Sequence, residues 1–206
     1  MQGRVRIVAL GDSTTAGTPG WKSPIEAPPL GEGDETSQYA YWLMQAHPEW
    51  EVLNRGVNGE RSDQILARFD RDVLGERPDA VVIIAGVNDV YQGRAAAHVI
   101  GQLQGMYERA RGASIPVIAG SIIPYNTATP DQNARMREVN DWIRSCSTAD
   151  SRVFFVDTRA AVSTPDAPNL LVDTPDQLHP SPTGYKRMAG AIEPALVRVT
   201  AAGRHA

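Results

Sequence analysis

Residues 7–17, Ile-Val-Ala-Leu-Gly-Asp-Ser-Thr-Thr-Ala-Gly, bring a hydroxyl to the end of an apolar run. The run stops at Gly11, and Ser13 stands near the start of the small polar cluster that follows. In open α/β sheets this strand edge is where ligands bind, so Ser13 is either a nucleophile or part of a phosphate-holding loop. A nucleophilic serine needs a histidine base, a carboxylate to orient that base, and donors for the anionic intermediate. A phosphate loop needs only amides and hydroxyls at a helix start. To hold a flavin it would also need flat walls, for which Trp21, Tyr91 and Tyr125 are available.

The chain has four histidines. His47 precedes Pro48 at a helix end, where a contact with the helix dipole explains it. His98 belongs to an amphipathic helix and His205 to the tail. His179 differs, because Asp176-Gln-Leu-His179 places a carboxylate three residues before the imidazole, about one turn away. Pro180 disfavours the α conformation at His179, so the pair belongs on a turn before a helix and can point into a site. Donors stand at comparable places. Gly59 follows a strand, and its amide can approach a ligand closely for want of a side chain; Asn88 lies just past another strand. Each feature taken singly also fits a structural role: a turn for Gly59, a loop-fixing hydrogen bond for Asn88, a chance pair for Asp176 and His179.

The elements that must carry these residues follow from periodicity. Val5–Leu10, Glu51–Asn54, Ala80–Ala85, Ile115–Ala119 and Val153–Val156 read as strands. Between them, residues 37–47 look helical, as do Ile65, Leu66, Phe69 and Val73. Val99, Ile100, Leu103, Met106, Tyr107 and Ala110 mark a long amphipathic helix. Thr129-Pro-Asp-Gln132 combines a capping Thr, Pro at the first helical position and Gln three residues after the cap; Met136, Val139, Ile143 and Cys146 follow on one face, Cys146 as a core residue. Residues 158–180 read as a long loop. Ser181-Pro182 starts a final helix with Tyr185, Met188, Ala189 and Ile192 inward, and Pro194 should kink or restart it. Strands alternating with helices predict an α/β fold, a single-domain three-layer α/β/α sandwich over residues 1–206 with a five-stranded parallel sheet.

Residues 18–36 hold four prolines and no periodicity. Loops of this length are usually functional or disordered, so the segment is expected to be a substrate-facing flap carrying Trp21, with an inert surface loop as the alternative. Residues 201–206 are expected to fray.

Bulk properties exclude several classes. In 206 residues, 42% hydrophobic and 21% charged, the net charge is −4 and no basic stripe occurs, so nucleic acid is not an expected partner. The single cysteine, Cys146, rules out intrachain disulfides and multi-cysteine metal sites. Arg4 and Arg6 leave only Ile7–Leu10 uninterrupted, too short for an export signal, and no stretch reaches the roughly 20 apolar residues of a membrane span. A cytoplasmic protein with no membrane span is the expectation.

Taken together and in order, Gly11-Asp12-Ser13, Gly59 within Asn58-Gly59-Glu60, Gly86-Val-Asn88-Asp89 and Asp176-Gln-Leu-His179 resemble the four motifs of the SGNH (GDSL-type) hydrolases. The following Pro180-Ser-Pro-Thr-Gly184-Tyr185 is similar to the sequence that trails that family's histidine. The resemblance implies a flavodoxin-like sheet and a serine esterase acting through an acyl-enzyme on carboxylic esters, short-chain or acetyl esters first. Carbohydrate acetylesterase, lysophospholipase and thioesterase are the alternatives within the superfamily, and a flavin-binding module the alternative outside it. It further implies Ser13 as nucleophile, His179 as base, Asp176 as its orienting carboxylate, and an oxyanion hole from the Ser13 and Gly59 amides and the Asn88 side chain. No cofactor and no metal are required. Asp12 and Asp89 should give hydrogen-bond support, Ser121 is a rival nucleophile, and Trp21, Tyr91, Tyr125 and Asn126 are candidates to line the substrate pocket. The departure from compact members is the length of segment 18–36.

Overall fold

The computed structural model describes residues 4–202. Strand β1 (Val5–Gly11) is followed by a two-stranded antiparallel pair, β2 (Trp21–Lys22) with β3 (Glu32–Gly33). Four further strands, β4 (Trp50–Gly56), β5 (Ala80–Ile84), β6 (Val117–Gly120) and β7 (Val153–Val156), join β1 in one parallel sheet ordered β4-β1-β5-β6-β7. Both faces of a parallel sheet are covered by the crossover helices, which is why its strands read as near-continuous apolar runs; every residue of β5 is buried.

The period of two in β1 divides the core. Val8 and Leu10 face Ile65, Phe69, Leu103 and Met136, whereas Ile7 and Ala9 face Tyr39, Leu43, Tyr185 and Ile192. The first layer is supplied by α3 (Ser62–Ala67), α4 (Phe69–Asp72), α6 (Ala96–Gly112) and α7 (Pro130–Ala149). The second is supplied by α2 (Tyr39–Ala46) and α9 (Pro182–Ala202). Each large side chain buried in this way contributes about 1.5–3 kcal/mol. The result is the three-layer sandwich with a five-stranded parallel sheet that the alternation of elements predicts. Among the described residues no helix is long and apolar enough to cross a membrane.

The structure departs from the expected pattern in four places. The helix expected across 65–73 breaks at Arg68, the residue between α3 and α4. The expected loop at 158–180 opens with a short helix, α8 (Thr158–Val162), because Asp157 caps it by accepting from Ala160 N–H at 3.0 Å. Helix α9 runs on through Pro194, so of the two outcomes expected there, a kink or a restart, the restart does not occur. Segment 18–36 is not an irregular loop, since β2 and β3 pair within it, Ser23 Oγ donates to the Gly56 carbonyl at 2.6 Å and Glu26 accepts from Ser23 N–H at 3.0 Å. The expected fraying of 201–206 falls largely outside the described residues.

Candidate active site

The sheet order reverses at β1, which lies between β4 and β5, and such a switch point leaves a crevice beyond the strand ends. Beyond the ends of β1, β4 and β5 stand Ser13 at the start of a short helix, Gly59 on a loop, and Asn88 in α5 (Val87–Tyr91). At the end of β1 only glycine fits: a Cβ on Gly11 would lie 2.2 Å from Thr15 Oγ1 and 2.3 Å from the Ile84 carbonyl. The chain therefore turns sharply into α1 (Ser13–Ala16), whose first residue is Ser13. Asp12 caps that helix, its Oδ1 accepting from Thr14 N–H at 2.9 Å. From β4, Asn54 Nδ2 donates to the carbonyls of Thr15 and Ala16 at 3.0 Å each, fixing the other end of the turn.

Asp176 and His179 form a compact unit on the far side of the crevice. Asp176 Oδ2 is 2.7 Å from His179 Nδ1, while Oδ1 accepts from the N–H groups of Leu178 (2.9 Å) and His179 (2.8 Å). Burial opposes ionisation of Asp176 more than any other single influence. The hydrogen bonds from the His179 ring and from those two amides together outweigh it and hold the pKa below the ordinary carboxylate value. The turn depends on Gln177 in the left-handed region at φ 65°, a costly conformation for a residue with a side chain. It is held from outside, because Asn126 N–H donates to the Gln177 carbonyl at 2.8 Å.

Ser13 and His179 line the same cavity of about 180 Å³, together with Thr14, Asn58, Val87, Asn88, Tyr91, Tyr125 and Leu178. Neither Ser13 Oγ nor His179 Nε2 has a hydrogen-bond partner among the described residues, so both are free toward that space. Asn88 Nδ2 donates one N–H to the Glu60 carbonyl at 2.8 Å and keeps the second. Gly59 adopts φ 78° with open space around its Cα, and its N–H, like that of Ser13, has no acceptor among the described residues. Such unpaired donors around a serine are what an oxyanion requires. Tyr91, 57% exposed, packs edge-on against buried Tyr125 with centroids 5.8 Å apart. Burial, and then Tyr91, push the Tyr125 pKa up to about 12.

Two expected pocket residues lie elsewhere. Trp21 is 7% exposed and does not line the cavity; in β2 it pairs with Gly33 and its ring rests on Gly31. Segment 18–36 thus contributes no wall to the cavity; it meets the site's surroundings through Thr18 N–H, which donates to the Ser13 carbonyl at 3.2 Å, and through Glu26, which accepts from Asn58 N–H at 2.9 Å. Asn126 also lies outside the cavity lining, because its Oδ1 is used to accept from Leu171 N–H at 2.7 Å. The rival nucleophile Ser121 is 1% exposed, with its Oγ bonded to Asp157 and Arg159 N–H. Asp89 supports its surroundings as expected, its two oxygens accepting from Ser62 N–H and Oγ at 2.8 and 2.9 Å. His47 stacks on Trp50 at 3.8 Å and meets Glu193, and His98 Nε2 lies 3.7 Å from Asp89. Cys146 is only half-buried, packed at the margin of the core cluster, and His205 falls outside the described residues.

Asp12 makes this edge sensitive to pH. Burial pushes its pKa up to about 7 despite the Thr14 hydrogen bond, Asp89 and Glu60 add to the rise, and Oδ2 has no partner. Between about pH 4 and pH 7 folded Asp12 keeps a proton that the unfolded chain has lost. The folded state then binds more protons, and stability falls as pH rises across that window. Asp12→Asn removes this dependence. Relative to wild type, the variant should gain about 1–3 kcal/mol between pH 5 and pH 8 in denaturant unfolding, at about 1.4 kcal/mol per unit.

The sequence matches the model of the GDSL-like Lipase/Acylhydrolase family over residues 9–187. It is 28% identical to the acetylxylan esterase of Geobacillus stearothermophilus, covering 91% of each chain. It is 26% identical to the human platelet-activating factor acetylhydrolase IB subunit alpha1, over 73% of this chain and 65% of that one. A GDSL-like lipase of Bacteroides thetaiotaomicron shares the fold, with a TM-score of 0.75 at 24% identity over 95% of this chain and 89% of that one. A serine at the end of β1, facing a histidine already joined to a carboxylate across the sheet's switch point, agrees with that match. The chain belongs to the GDSL-like Lipase/Acylhydrolase family and is a serine hydrolase acting on ester bonds.

Proposed function

We propose that the protein removes acetyl and other short acyl groups from esters, with Ser13, His179 and Asp176 as its catalytic triad. The observation that carries this reading is the cavity of about 180 Å³ into which Ser13 and His179 both open. It is smaller than the ~300 Å³ at which pockets for drug-sized ligands begin, and Val87, Tyr125 and Leu178 bound it with apolar surface. The names of the two curated relatives, an acetylxylan esterase and an acetylhydrolase, agree with an acetyl group in that space. A lysophospholipase would need room for a long alkyl tail, which this cavity lacks.

Ser13 Oγ attacks the ester carbonyl carbon as its proton passes to His179 Nε2. Asp176, kept ionised by its three hydrogen bonds, stabilises the imidazolium and fixes the ring. The carbonyl oxygen becomes an anion received by the Ser13 and Gly59 amides and by the free N–H of Asn88. Collapse breaks the bond to the alcohol, which leaves with the proton from His179. Water then attacks the acyl-Ser13 carbonyl, gives a proton to His179, and the carboxylic acid departs as Ser13 Oγ recovers its proton. Each donor of such a hole is worth about 10²–10³ in turnover.

A series of aryl esters from acetate to octanoate tests the acyl preference. We expect kcat/KM to be highest for acetate and to fall by about 10-fold or more by hexanoate, since misfit of a methylene or two costs about 1–3 kcal/mol. Tyr125→Ala should raise the hexanoate-to-acetate ratio by about 10-fold. A flat or rising profile in the wild type would overturn the short-acyl assignment. Acetylated carbohydrates run alongside would decide what the alcohol portion is.

A further inference from the structure

Three separate segments, each following a different strand, supply the Ser13, Gly59 and Asn88 donors, and something must hold them in one frame. We infer that Arg68 is the positioning residue of the oxyanion hole, its guanidinium joining the end of β1 to the loop that carries Gly59. The inference rests on the triad reading above.

Arg68 sits at the break between α3 and α4 and is 8% exposed. Its Nη2 donates to the Gly11 carbonyl at 2.9 Å, two residues before Ser13. Its Nη1 donates to the Arg55 carbonyl at 2.8 Å near the end of β4, and to Asp72 Oδ2 at 2.7 Å. Its Nε donates to Glu60 Oε2 at 2.7 Å, one residue after Gly59. Glu60 in turn accepts Asn88 Nδ2 at its own carbonyl, 2.8 Å away. The Gly11 carbonyl also accepts from Val57 N–H at 3.2 Å, on the loop leading to Gly59. One planar, always-charged fork thus ties the ends of β1 and β4 to Glu60, whose carbonyl in turn holds Asn88 beyond β5.

The chemistry of the fork explains why this residue is an arginine. A lysine at 68 would offer a compact ammonium that cannot span Gly11, Arg55 and Glu60 in one plane. The two carboxylates fix the guanidinium: Asp72 is 5% exposed, and burial opposes its charge most, but hydrogen bonds from Arg71 and Arg68 leave its pKa lowered. Because Ser13 and Gly59 present backbone donors, no side-chain substitution at either position can realign them. Their aim is set by the peptides on either side, and Arg68 holds two of those neighbourhoods. Displacements of under 1 Å in such donors cost turnover while leaving substrate binding nearly intact.

Arg68→Lys should lower kcat for an aryl acetate about 10- to 10²-fold with KM within about threefold. Titration with an organophosphonate counts the active sites, so that the rate is expressed per folded molecule. In an Asn88→Ala background the same substitution should cost less than about threefold, because a hole already missing one donor has less alignment to lose. Arg71→Ala, which removes a partner of Asp72 without touching Gly11 or Glu60, should leave kcat within about twofold. If Arg68→Lys does not fold, Glu60→Gln keeps the carbonyl that Asn88 uses and should lower kcat in the same direction. The inference is overturned by an unchanged kcat in Arg68→Lys. It is equally overturned by an equal loss in both backgrounds, or by an equal loss in Arg71→Ala. Failure of the triad reading shows separately, as activity retained by Ser13→Ala.

Discussion

Ser13→Ala is expected to lower kcat for an aryl acetate by about 10⁴-fold or more while leaving the melting temperature nearly unchanged. The first half follows from chemistry, because no acyl-enzyme forms without Oγ, and only the residual effect of binding and the oxyanion donors remains. The second half follows from the structure. Ser13 Oγ makes no hydrogen bond to any described residue, and alanine is a good residue for the first turn of α1. Covalent labelling by an organophosphonate, read as a mass increase on one peptide, should be lost with the activity. Ser121→Ala is the informative contrast: its Oγ accepts Arg159 N–H at 2.9 Å and meets Asp157 at 3.2 Å, so it should cost stability and leave labelling in place. Full activity in Ser13→Ala would remove Ser13 from the mechanism.

What the sequence revealed and what it hid divide along a physical line. Apolar runs marked the inner strands because burial on both sheet faces leaves no polar positions to confuse the period, as β5 shows at Ala80–Ile84; the edge strand β4 instead alternates, with Trp50, Val52 and Asn54 buried and Glu51, Leu53 and Arg55 partly exposed. The pair Asp176 and His179 was legible because three residues of chain suffice to bring their atoms to 2.7 Å. Trp21 and Asn126 misled for a common reason. A large aromatic and a loop amide both have uses in a pocket, but burial of the indole against Gly31 and a 2.7 Å bond to Leu171 claimed them first. Arg68 was invisible because its partners at Gly11 and Arg55 are carbonyls, which every residue has, and no local pattern marks which ones a guanidinium will reach. Helix α8 is hidden for a smaller reason: its single turn is too short to show a period, and its cap at Asp157 directly follows the Val153–Val156 strand.

Asp176→Asn is expected to be nearly as damaging as loss of Ser13, about 10⁴-fold in kcat, and the reason lies in how the carboxylate is used. In the wild type Oδ1 takes the Leu178 and His179 amides, and Oδ2 faces His179 Nδ1. An asparagine can keep Oδ1 on the two amides, but then its NH2 group faces Nδ1. That nitrogen must become the acceptor, the ring proton moves to Nε2, and His179 can no longer take the proton of Ser13. The turn itself should survive, because the amide bonds at Oδ1 and the Asn126 contact to the Gln177 carbonyl remain. Asp176→Ala instead also removes Oδ1, the acceptor of the Leu178 and His179 N–H groups, and should lose stability along with rate. The pH–rate profile gives the second readout. Since Asp176 is held below its ordinary pKa, it stays ionised down to acidic pH in the wild type, and its own protonation should not set the acidic limb of activity. The paired bonds also stabilise the fold above the unfolded carboxylate's pKa, a contribution lost as pH falls through the lowered folded value. Near-wild-type kcat in Asp176→Asn, with His179 still required, would show that the carboxylate only shapes the turn and takes no part in orienting the base.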